Sequence, residues 1–248
     1  MFIKIYINSN LVVSMNSLIL LAGGSGIRAQ QKIPKQFIEL DGKKKKRLMY
    51  LQYPYTNDKN INFDEVIIVV PNDWKDTIEN ELPSNNIDVT CRVVKGGSTR
   101  SESSYIGLQA CSSDCKKVLI HDAARPFVSK EIYDSCIEYL DKYDSVVPII
   151  PSKDTSIYFD LPKDIDFINR DNIRFVQTPQ AFKYDIIMEA YENQKDEKTD
   201  DLQILLHYKP NADIKFIKGL EKNFKVTTKE HIKIIKELHK INKHYILY

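Results

Sequence analysis

The chain has 248 residues, of which 42% are hydrophobic and 28% charged, and its formal net charge is +2. These proportions exclude a globally disordered chain. The chain also lacks the large excess of basic residues that is typical of nucleic-acid-binding proteins. Glycine is scarce, with only 8 residues, five of which lie in two clusters: Gly23, Gly24 and Gly26, then Gly96 and Gly97. Glycine this rare is expected where the main chain turns sharply or touches a ligand.

Residues 1–16 are predicted to form an N-terminal appendage. Polar residues interrupt their apolar stretches, so no run approaches the ~20 residues that a membrane span needs, and Met15 is an alternative start. The four cysteines form no CxxC pair, which is typical of reduced structural thiols. We therefore expect a cytoplasmic protein that binds neither membranes nor nucleic acids.

Apolar runs alternate with helical patterns along the rest of the chain. The predicted strands are 17–22, 65–70, 87–94, 117–120, 145–150, 173–177 and 214–217. The predicted helices are 73–81, 100–111, 129–141, 183–193, 200–207 and a final amphipathic helix capped by Thr228. Pro148 suggests an edge strand or a bulge. Such alternation predicts an α/β fold with a doubly wound, mostly parallel sheet.

We expect residues 17–248 to form one domain with a projecting arm at about 152–172. That segment mixes proline, aspartate, aromatic and β-forming residues without a helical period. Ligands of doubly wound sheets bind at the carboxyl ends of the strands, where the informative motifs of this chain fall.

The first motif is a glycine-rich loop that follows the first predicted strand. It runs AGGSGIR over residues 22–28 and is followed by PKQF over residues 34–37. Exposed main-chain N–H groups in such a loop can hold phosphates, and Arg28 and Lys35 add positive charge. The spacing of a P-loop is absent and the dinucleotide fingerprint is incomplete. A tight turn without a ligand is the alternative.

Two further motifs follow the third and fourth predicted strands. GGSTRSES at residues 96–103 can accept a flat base, although a capped helix N-terminus explains the same residues. HDAARPF at residues 121–127 places Asp122 where a carboxylate can hold Mg²⁺ against phosphate oxygens. Arg125 can bind a second anion, and a structural Asp–Arg pair is the alternative.

Six ordered motifs over roughly residues 17–240 resemble the 2-C-methyl-D-erythritol 4-phosphate cytidylyltransferase family. They are AGGSGIR with PKQF, GGSTRSES, HDAARPF, VQTPQAF, TDD and KVTTKE. The resemblance implies a Rossmann-like nucleotidyltransferase fold with a dimerisation arm. It also implies Mg²⁺-dependent transfer of CMP from CTP to a polyol phosphate, with release of pyrophosphate, by a homodimer.

The resemblance also implies roles for individual residues. Arg28, Lys35 and Lys225 would be the catalytic cations. The nucleotide would be bound by Ala22, Gly23, Gly24, Gly26, Gly97, Ser103 and Asp122, with Asp122 as the metal ligand. The polyol phosphate would be bound by Arg125, Thr155, Arg170 and Thr178, and Thr155 and Arg170 would reach across the dimer. The family often has an acidic residue shortly before the late lysine. In this chain that residue is displaced, since Glu221, Lys222 and Asn223 precede Lys225, so the identity of a second metal ligand stays open.

Three hypotheses follow from these motifs. The first is the cytidylyltransferase that acts on methylerythritol phosphate in isoprenoid precursor synthesis. The second is a ribitol-5-phosphate cytidylyltransferase that makes CDP-ribitol, since the ribitol enzymes share the AGG loop. The third is a non-catalytic nucleotide-binding module, against which the four charged residues Arg28, Lys35, Asp122 and Lys225 argue.

Overall fold

An eight-stranded mixed sheet forms the centre of the molecule in the computed structural model. The structure describes residues 15–23, 33–40, 47–49, 63–82, 89–160, 164–194, 196 and 198–241. The predicted appendage 1–16 falls mostly outside these ranges. The site residues Gly24, Gly26 and Arg28 lie outside them as well.

The strands of the central sheet follow the order β10-β5-β9-β4-β1-β2-β3, with β8 also paired to β5. They are β1 (Met15–Leu21), β2 (Glu65–Val70), β3 (Thr90–Lys95), β4 (Cys115–Asp122), β5 (Ser145–Pro151), β8 (Arg174–Val176), β9 (Gln180–Lys183) and β10 (Ile214–Lys218). The pairs of β1 with β2 and β4, of β2 with β3 and of β5 with β10 are parallel. Among the described strands of this sheet, β8 runs antiparallel to β5, and β9 runs antiparallel to β4 and β5. The other pairs are parallel, which confirms a mostly parallel α/β sheet.

Six α-helices occur among the described residues. They are α1 (Lys75–Glu81), α2 (Arg100–Gln109), α3 (Lys130–Tyr139), α4 (Tyr184–Glu192), α5 (Asp201–Tyr208) and α6 (Lys229–Ile241). In the part of the chain that the structure describes, no helix is long and apolar enough to cross a bilayer. The helices cover both faces of the sheet, so the central strands are buried almost throughout.

The core lies on the two faces of this sheet because successive strand residues point to opposite sides. In β1, Leu18 and Leu20 join the cluster on one face, while Ile19 and Leu21 join the cluster on the other. The run EVIIVV of β2 is buried along its whole length, as the continuous apolar pattern predicts for a parallel strand.

Pro148 does not mark an edge strand, so that prediction is wrong. Strand β5 lies inside the sheet, and its register with β10 is unbroken from Ser145 to Ile149. On its other side, β5 pairs with β9 at Val146 and with β8 from Ile149 onward. Pro148 O accepts a hydrogen bond from Gln177 N at 2.9 Å on the side of β8 and β9. The missing N–H of the proline therefore falls on that side, where β5 exchanges one antiparallel partner for the other.

The predicted arm contains a separate two-stranded antiparallel hairpin. Its strands are β6 (Ser156–Asp160) and β7 (Asp164–Ile168), which pair only with each other among the described residues. The sequence indicated β-forming residues here without a period that would define the strands. Strand β9, which begins within VQTPQAF and ends at Lys183, was likewise missed because its four residues are too few to show a pattern.

The final helix α6 begins as predicted, because the Thr228 hydroxyl accepts a hydrogen bond from the main-chain N–H of His231 at 3.2 Å. Ile232 and Ile235 are buried, whereas Leu238 is 41% exposed. A repeat of three residues drifts around a helix of 3.6 residues per turn, which explains why the third position leaves the apolar face. The buried residues pack on Ile38 and thereby support the segment that carries Lys35.

Gly107, in the last turn of α2, is expected to be required by packing. A β-carbon there would lie 2.7 Å from Cγ2 of Ile19 and 3.2 Å from Cγ2 of Val69. Gly107→Ala should lower the free energy of unfolding by about 1–2 kcal/mol, since overpacking outweighs the gain in helix propensity. Urea denaturation measures this, with Gln109→Ala on the exposed side of the helix as control. A more stable Gly107→Ala variant would contradict it.

Candidate active site

Three loops meet at the carboxyl ends of β1, β3 and β4. Strand β1 pairs with β4 on one side and with β2 on the other, and β3 pairs with β2. All these pairs are parallel, so the carboxyl ends of β1, β3 and β4 share one edge of the sheet. Main-chain hydrogen bonds tie the loops to adjacent strands, with Ala22 N donating to Val69 O at 2.7 Å and Ala123 N donating to Leu21 O at 3.0 Å. The structure thus brings together the starts of the three predicted motifs.

The hydroxyl of Ser103 lies between the two glycine clusters. Its Oγ accepts a hydrogen bond from Gly97 N at 3.1 Å. A β-carbon at Gly96 would lie 2.9 Å from this Oγ, and one at Gly23 would lie 3.2 Å from it. Glycine at positions 23 and 96 is therefore explained by close packing around Ser103, in addition to any contact with a ligand. Thr99 caps α2 by accepting a hydrogen bond from Glu102 N.

Lys35 lies in a short 3₁₀ turn, Lys35–Phe37, beside the end of β1. Phe37 stacks on Trp74 with ring centroids 4.4 Å apart, and the Gln36 amide donates to the carbonyl of Ala22. These two contacts hold the turn against the end of β1. Lys35 is only 9% exposed, so most of its side chain is buried.

Asp122 is the centre of a cluster of three cations. Its Oδ2 lies 2.7 Å from Lys225 Nζ and 3.7 Å from Arg125 Nε, and its Oδ1 lies 3.3 Å from Arg100 Nε. Burial opposes ionisation of the carboxyl, but the positive charges of Arg100, Lys225 and Arg125 outweigh it and hold the Asp122 pKa far below its usual range. The aspartate is therefore an anion at neutral pH.

The segment that carries Lys225 is hydrogen-bonded to the Asp122 loop. Val226 N donates to Ala124 O at 2.8 Å, and Arg125 Nη1 donates to Asn223 O at 2.9 Å. The buried Asn223 side chain also donates to the carbonyl of Thr178 at 2.9 Å. These bonds join three sequence motifs far apart in the chain into one polar cluster.

Thr178 is held by His121 and by the main chain of Asp122. Its Oγ1 accepts a hydrogen bond from Asp122 N at 3.1 Å and lies 2.9 Å from His121 Nδ1. His121 Nε2 lies 3.1 Å from the carbonyl of Arg125, which can only accept, so Nε2 carries the proton. Nδ1 is then the acceptor for the Thr178 hydroxyl, and one histidine tautomer satisfies the whole chain of bonds.

Acid should destabilise the protein through His121. Burial lowers the pKa of this histidine to about 4 in the folded state, against about 6.5 when unfolded. The unfolded chain therefore binds a proton first, and stability falls as the pH drops from about 6.5 to 4, by about 3 kcal/mol. Urea titrations across this range measure it. His121→Gln should lose this part of the slope, whereas the exposed His207→Gln should retain it. An unchanged slope in His121→Gln would contradict the assignment.

Thr155 and Arg170 lie apart from the Asp122 cluster, at the base of the hairpin. Both are exposed, and Arg170 Nη1 donates to the carbonyl of Lys153 at 3.4 Å. Their described contacts lie within the arm. The structure therefore unites Ala22, Gly23, Lys35, Gly97, Ser103, Asp122, Arg125, Thr178 and Lys225 in one region and leaves these two residues outside it.

Two charged residues of this region were missed from the sequence. Arg100 begins α2 and contacts Asp122, and its Nη2 lies 2.7 Å from Oδ2 of Asp201. Both stand inside the GGSTRSES and TDD motifs, but nothing in either motif shows that they pair across 101 residues. The helix cap in TDD is Asp200, which accepts a hydrogen bond from Leu202 N.

A divalent metal fits this region only as a site with one protein carboxylate. Asp122 supplies that carboxylate, and no cluster of three His, Cys, Asp or Glu donors surrounds it among the described residues. Mg²⁺ commonly takes one or two carboxylates and fills its other positions with phosphate oxygens and water. Lys225 now contacts Oδ2, so a metal bound there would share the oxygen with it or displace it.

Comparison with known proteins agrees with the motifs. A family model for 2-C-methyl-D-erythritol 4-phosphate cytidylyltransferase matches residues 16–238. The enzymes of that name from Clostridium botulinum strain 657 and Lachnospira eligens are 35% and 34% identical over 224 and 226 residues, covering 89% of this chain and 95% and 97% of theirs. Nucleotidyltransferases of this kind generally use a divalent metal.

The fold agrees as well. The crystal structure of 4-diphosphocytidyl-2C-methyl-D-erythritol synthase from Anaerococcus prevotii superimposes with a TM-score of 0.78 at 31% identity, covering 92% of this chain and 99% of that one. Motifs, sheet order and sequence identity all lead to the same conclusion. This chain belongs to the 2-C-methyl-D-erythritol 4-phosphate cytidylyltransferase family.

Proposed function

We propose that this protein transfers CMP from CTP to 2-C-methyl-D-erythritol 4-phosphate and releases pyrophosphate. The observation that carries the proposal is the cluster of Lys225, Arg125 and Arg100 around Asp122 at the carboxyl end of the sheet. The names of the relatives supply the substrates. Three cations against the two carboxylates of Asp122 and Asp201 leave one positive charge for phosphate groups.

The transfer needs positioning and charge neutralisation rather than a covalent intermediate on the protein. An oxygen of the acceptor phosphate attacks the α-phosphorus of CTP and forms the new P–O bond. The bond from the α-phosphorus to the bridging oxygen breaks, and pyrophosphate leaves with the electron pair. Negative charge grows on the oxygens around the α-phosphorus and on the leaving group, so fixed cations accelerate the step.

Lys225 is assigned to the α-phosphate and the incoming phosphate, and Lys35 and Arg28 to the leaving pyrophosphate. Lys225 is supported by its place 2.7 Å from Asp122, with its side chain one-third exposed. The main chain from Ala22 to Gly26 is assigned to the triphosphate. Gly97 and Ser103 are assigned to the cytosine and ribose, which their place beside the first loop supports.

Asp122 is proposed to hold Mg²⁺. The donor set of one carboxylate suits a metal that takes its other ligands from phosphate and water. When bound, the metal would neutralise charge on the triphosphate. The protein's own part is to keep Asp122 ionised, which the surrounding cations achieve.

The acceptor site is proposed to use residues from two subunits of a homodimer. Arg125 and Thr178 lie in the Asp122 cluster, whereas Thr155 and Arg170 lie on the arm and would serve the partner subunit's site. The apolar surface of the hairpin supports association, since Ile157, Tyr158 and Phe167 are 47%, 54% and 78% exposed. Such a patch on a short hairpin is typical of an interaction surface.

Charge on this hairpin should break the dimer. Phe167→Asp is expected to convert the dimer to a monomer, measured by light scattering after size exclusion, and to reduce turnover because Thr155 and Arg170 leave the partner subunit's site. Lys153→Ala, also on the arm but exposed and polar, is the control and should remain dimeric. A dimeric Phe167→Asp protein would contradict the interface, and a monomeric wild type would contradict the dimer itself.

Release of pyrophosphate tests the activity. Purified protein with CTP, Mg²⁺ and methylerythritol phosphate should release pyrophosphate and form the cytidine diphosphate product, seen by mass spectrometry. Release with ribitol 5-phosphate instead would contradict the proposed acceptor. Binding of CTP without turnover on either acceptor would contradict catalysis.

A cytoplasmic location is proposed as well. All four cysteines, Cys91, Cys111, Cys115 and Cys136, are free thiols, as in proteins of a reducing compartment. Fractionation of the native cells with an antibody against the chain tests this location.

A further inference from the structure

Arg100, the first residue of α2, lies between two buried carboxylates. Its Nε is 3.3 Å from Oδ1 of Asp122 and its Nη2 is 2.7 Å from Oδ2 of Asp201. Asp201 is fully buried, and Tyr191 donates its hydroxyl proton to the other oxygen, Oδ1, at 2.5 Å. Neither carboxylate is exposed enough for water to stabilise its negative charge, so the guanidinium of Arg100 stabilises the charge of both.

The two oxygens of Asp122 have different partners. Oδ1 is held by Arg100 alone among the described cations, whereas Oδ2 is shared by Lys225 at 2.7 Å and Arg125 at 3.7 Å. Arg100 is anchored from behind by Asp201. A planar guanidinium can bind two carboxylates at once in fixed directions, which a lysine ammonium on a flexible stem does poorly.

We propose that Arg100 is a positioning residue for the transfer reaction: it pins Oδ1 of Asp122 and so keeps Lys225 and Arg125 available to phosphate groups. The inference rests on the proposed function and adds to it a residue that acts through Asp122. Asp201 takes part as the anchor that fixes the direction of the guanidinium.

The physical reason lies in charge balance inside the cluster. Asp122 is 6% exposed, so its charge must be met by nearby cations. Without Arg100, Lys225 and Arg125 would be its remaining partners among the described cations, and both would be held more tightly. Lys225 would then contact the phosphates less well in the transition state, which lowers kcat more than it changes the KM for CTP.

The first variant is Arg100→Gln, for which we expect kcat to fall at least ~10-fold while the KM for CTP changes less than about threefold. This variant also leaves the charge of Asp201 buried without its cation, and it can fail to fold for that reason alone. The double variant Arg100→Gln with Asp201→Asn removes the stranded charge, and the carbonyl oxygen of the new amide can still accept from Tyr191. We expect the double variant to regain most of the lost stability but to retain the deficit in kcat.

The control for loss of a cation that pairs with a buried carboxylate is Arg92→Gln. Arg92 Nη2 lies 2.7 Å from Oε2 of Glu65, which is fully buried at the amino end of β2, away from the Asp122 cluster. Arg92→Gln should lower stability and leave kcat within about twofold of the wild type. A drop in kcat there equal to that of Arg100→Gln would overturn the specific role of Arg100.

Kinetic constants and urea denaturation are measured for the wild type, the two single variants and the double variant. A double variant whose kcat recovers together with its stability would show a merely structural role and overturn the inference. Absence of turnover in the wild type would contradict the proposed function. An active wild type with no loss of kcat in Arg100→Gln would contradict only the role of Arg100.

Discussion

Lys225→Met is expected to lower kcat for CMP transfer at least ~100-fold, because a fixed cation at the developing charge contributes on that scale. Methionine retains the length of the side chain and removes the charge. Stability should change little, by about 1 kcal/mol, since Lys225 is 34% exposed and Asp122 retains Arg100 and Arg125. Steady-state pyrophosphate release and urea denaturation measure the two effects.

Lys209→Met is the matched control for Lys225→Met. Lys209 Nζ lies 2.7 Å from Oδ2 of Asp144, the same distance as in the Lys225–Asp122 pair, and is 43% exposed. Asp144 also retains Lys183 at 3.4 Å after the substitution. Lys209→Met should therefore lose similar stability and retain kcat within about twofold. Wild-type turnover in Lys225→Met would refute the role assigned to this lysine.

Asp122→Asn is expected to be inactive and also unstable. The substitution removes the anion shared by three cations, and stranding buried charges costs about 3 kcal/mol of the free energy of unfolding. Turnover should fall at least ~100-fold, since the cations lose their fixed directions and the proposed metal ligand is lost. Urea denaturation at neutral pH and pyrophosphate release are the measurements.

The pH dependence of this variant follows from the lowered pKa of Asp122. The folded carboxyl binds protons less readily than the unfolded one, so the wild type is stabilised above the ordinary aspartate pKa of about 3.9 and loses that contribution as the pH falls below it. Asp122→Asn should lack this part of the acid slope. If stability fell equally steeply with acid in the wild type and in Asp122→Asn, the ion pairs of Asp122 with its three cations would be contradicted.

Asp144→Asn separates lost charge pairing from lost catalysis. Asp144 is also mostly buried, and its pKa is lowered: burial opposes ionisation, but hydrogen bonds from Lys209, Asp213 and Lys183 outweigh it. It precedes β5, whereas Asp122 ends β4. Asp144→Asn should lower stability and retain kcat within about twofold, and a large loss of turnover there would show that the assay responds to stability alone.

Much of the fold could be predicted from local patterns. The run EVIIVV predicted a buried strand at the bounds that β2 has, and each predicted helix appears within a few residues of its place. Apolar periodicity and capping residues such as Thr228 act between neighbours in the chain, so the sequence displays them directly.

Other elements depend on partners far along the chain. Strand β9 forms because β4 and β5 offer it two edges, and Pro148 is tolerated where β5 passes from β9 to β8. The β6–β7 hairpin was expected only as an irregular arm. A short strand is stabilised by cross-strand contacts, which a single stretch of sequence does not show.

The candidate site also combines residues that the sequence indicated with contacts that only the structure shows. The motifs indicated Lys35, Asp122 and Arg125, because cations and a carboxylate beside strand ends are the chemistry that phosphate transfer needs. The role of Lys225 was implied only by the resemblance to the family. A pair of Asp122 with Arg125, three residues away, was already an alternative from the sequence, but the tertiary structure alone showed that Arg100 and Lys225 share this aspartate.

The sequence by itself determined the family, the layered α/β architecture and the residue types of the site, since these follow from local order along the chain. The tertiary structure alone decided which charges pair. Arg100 and Asp201 stand 101 residues apart, and His121 and Thr178 stand 57 apart, yet each pair is in hydrogen-bond contact. Buried charges and buried hydroxyls need partners wherever the fold provides them, so their roles become visible only when the strands are in place.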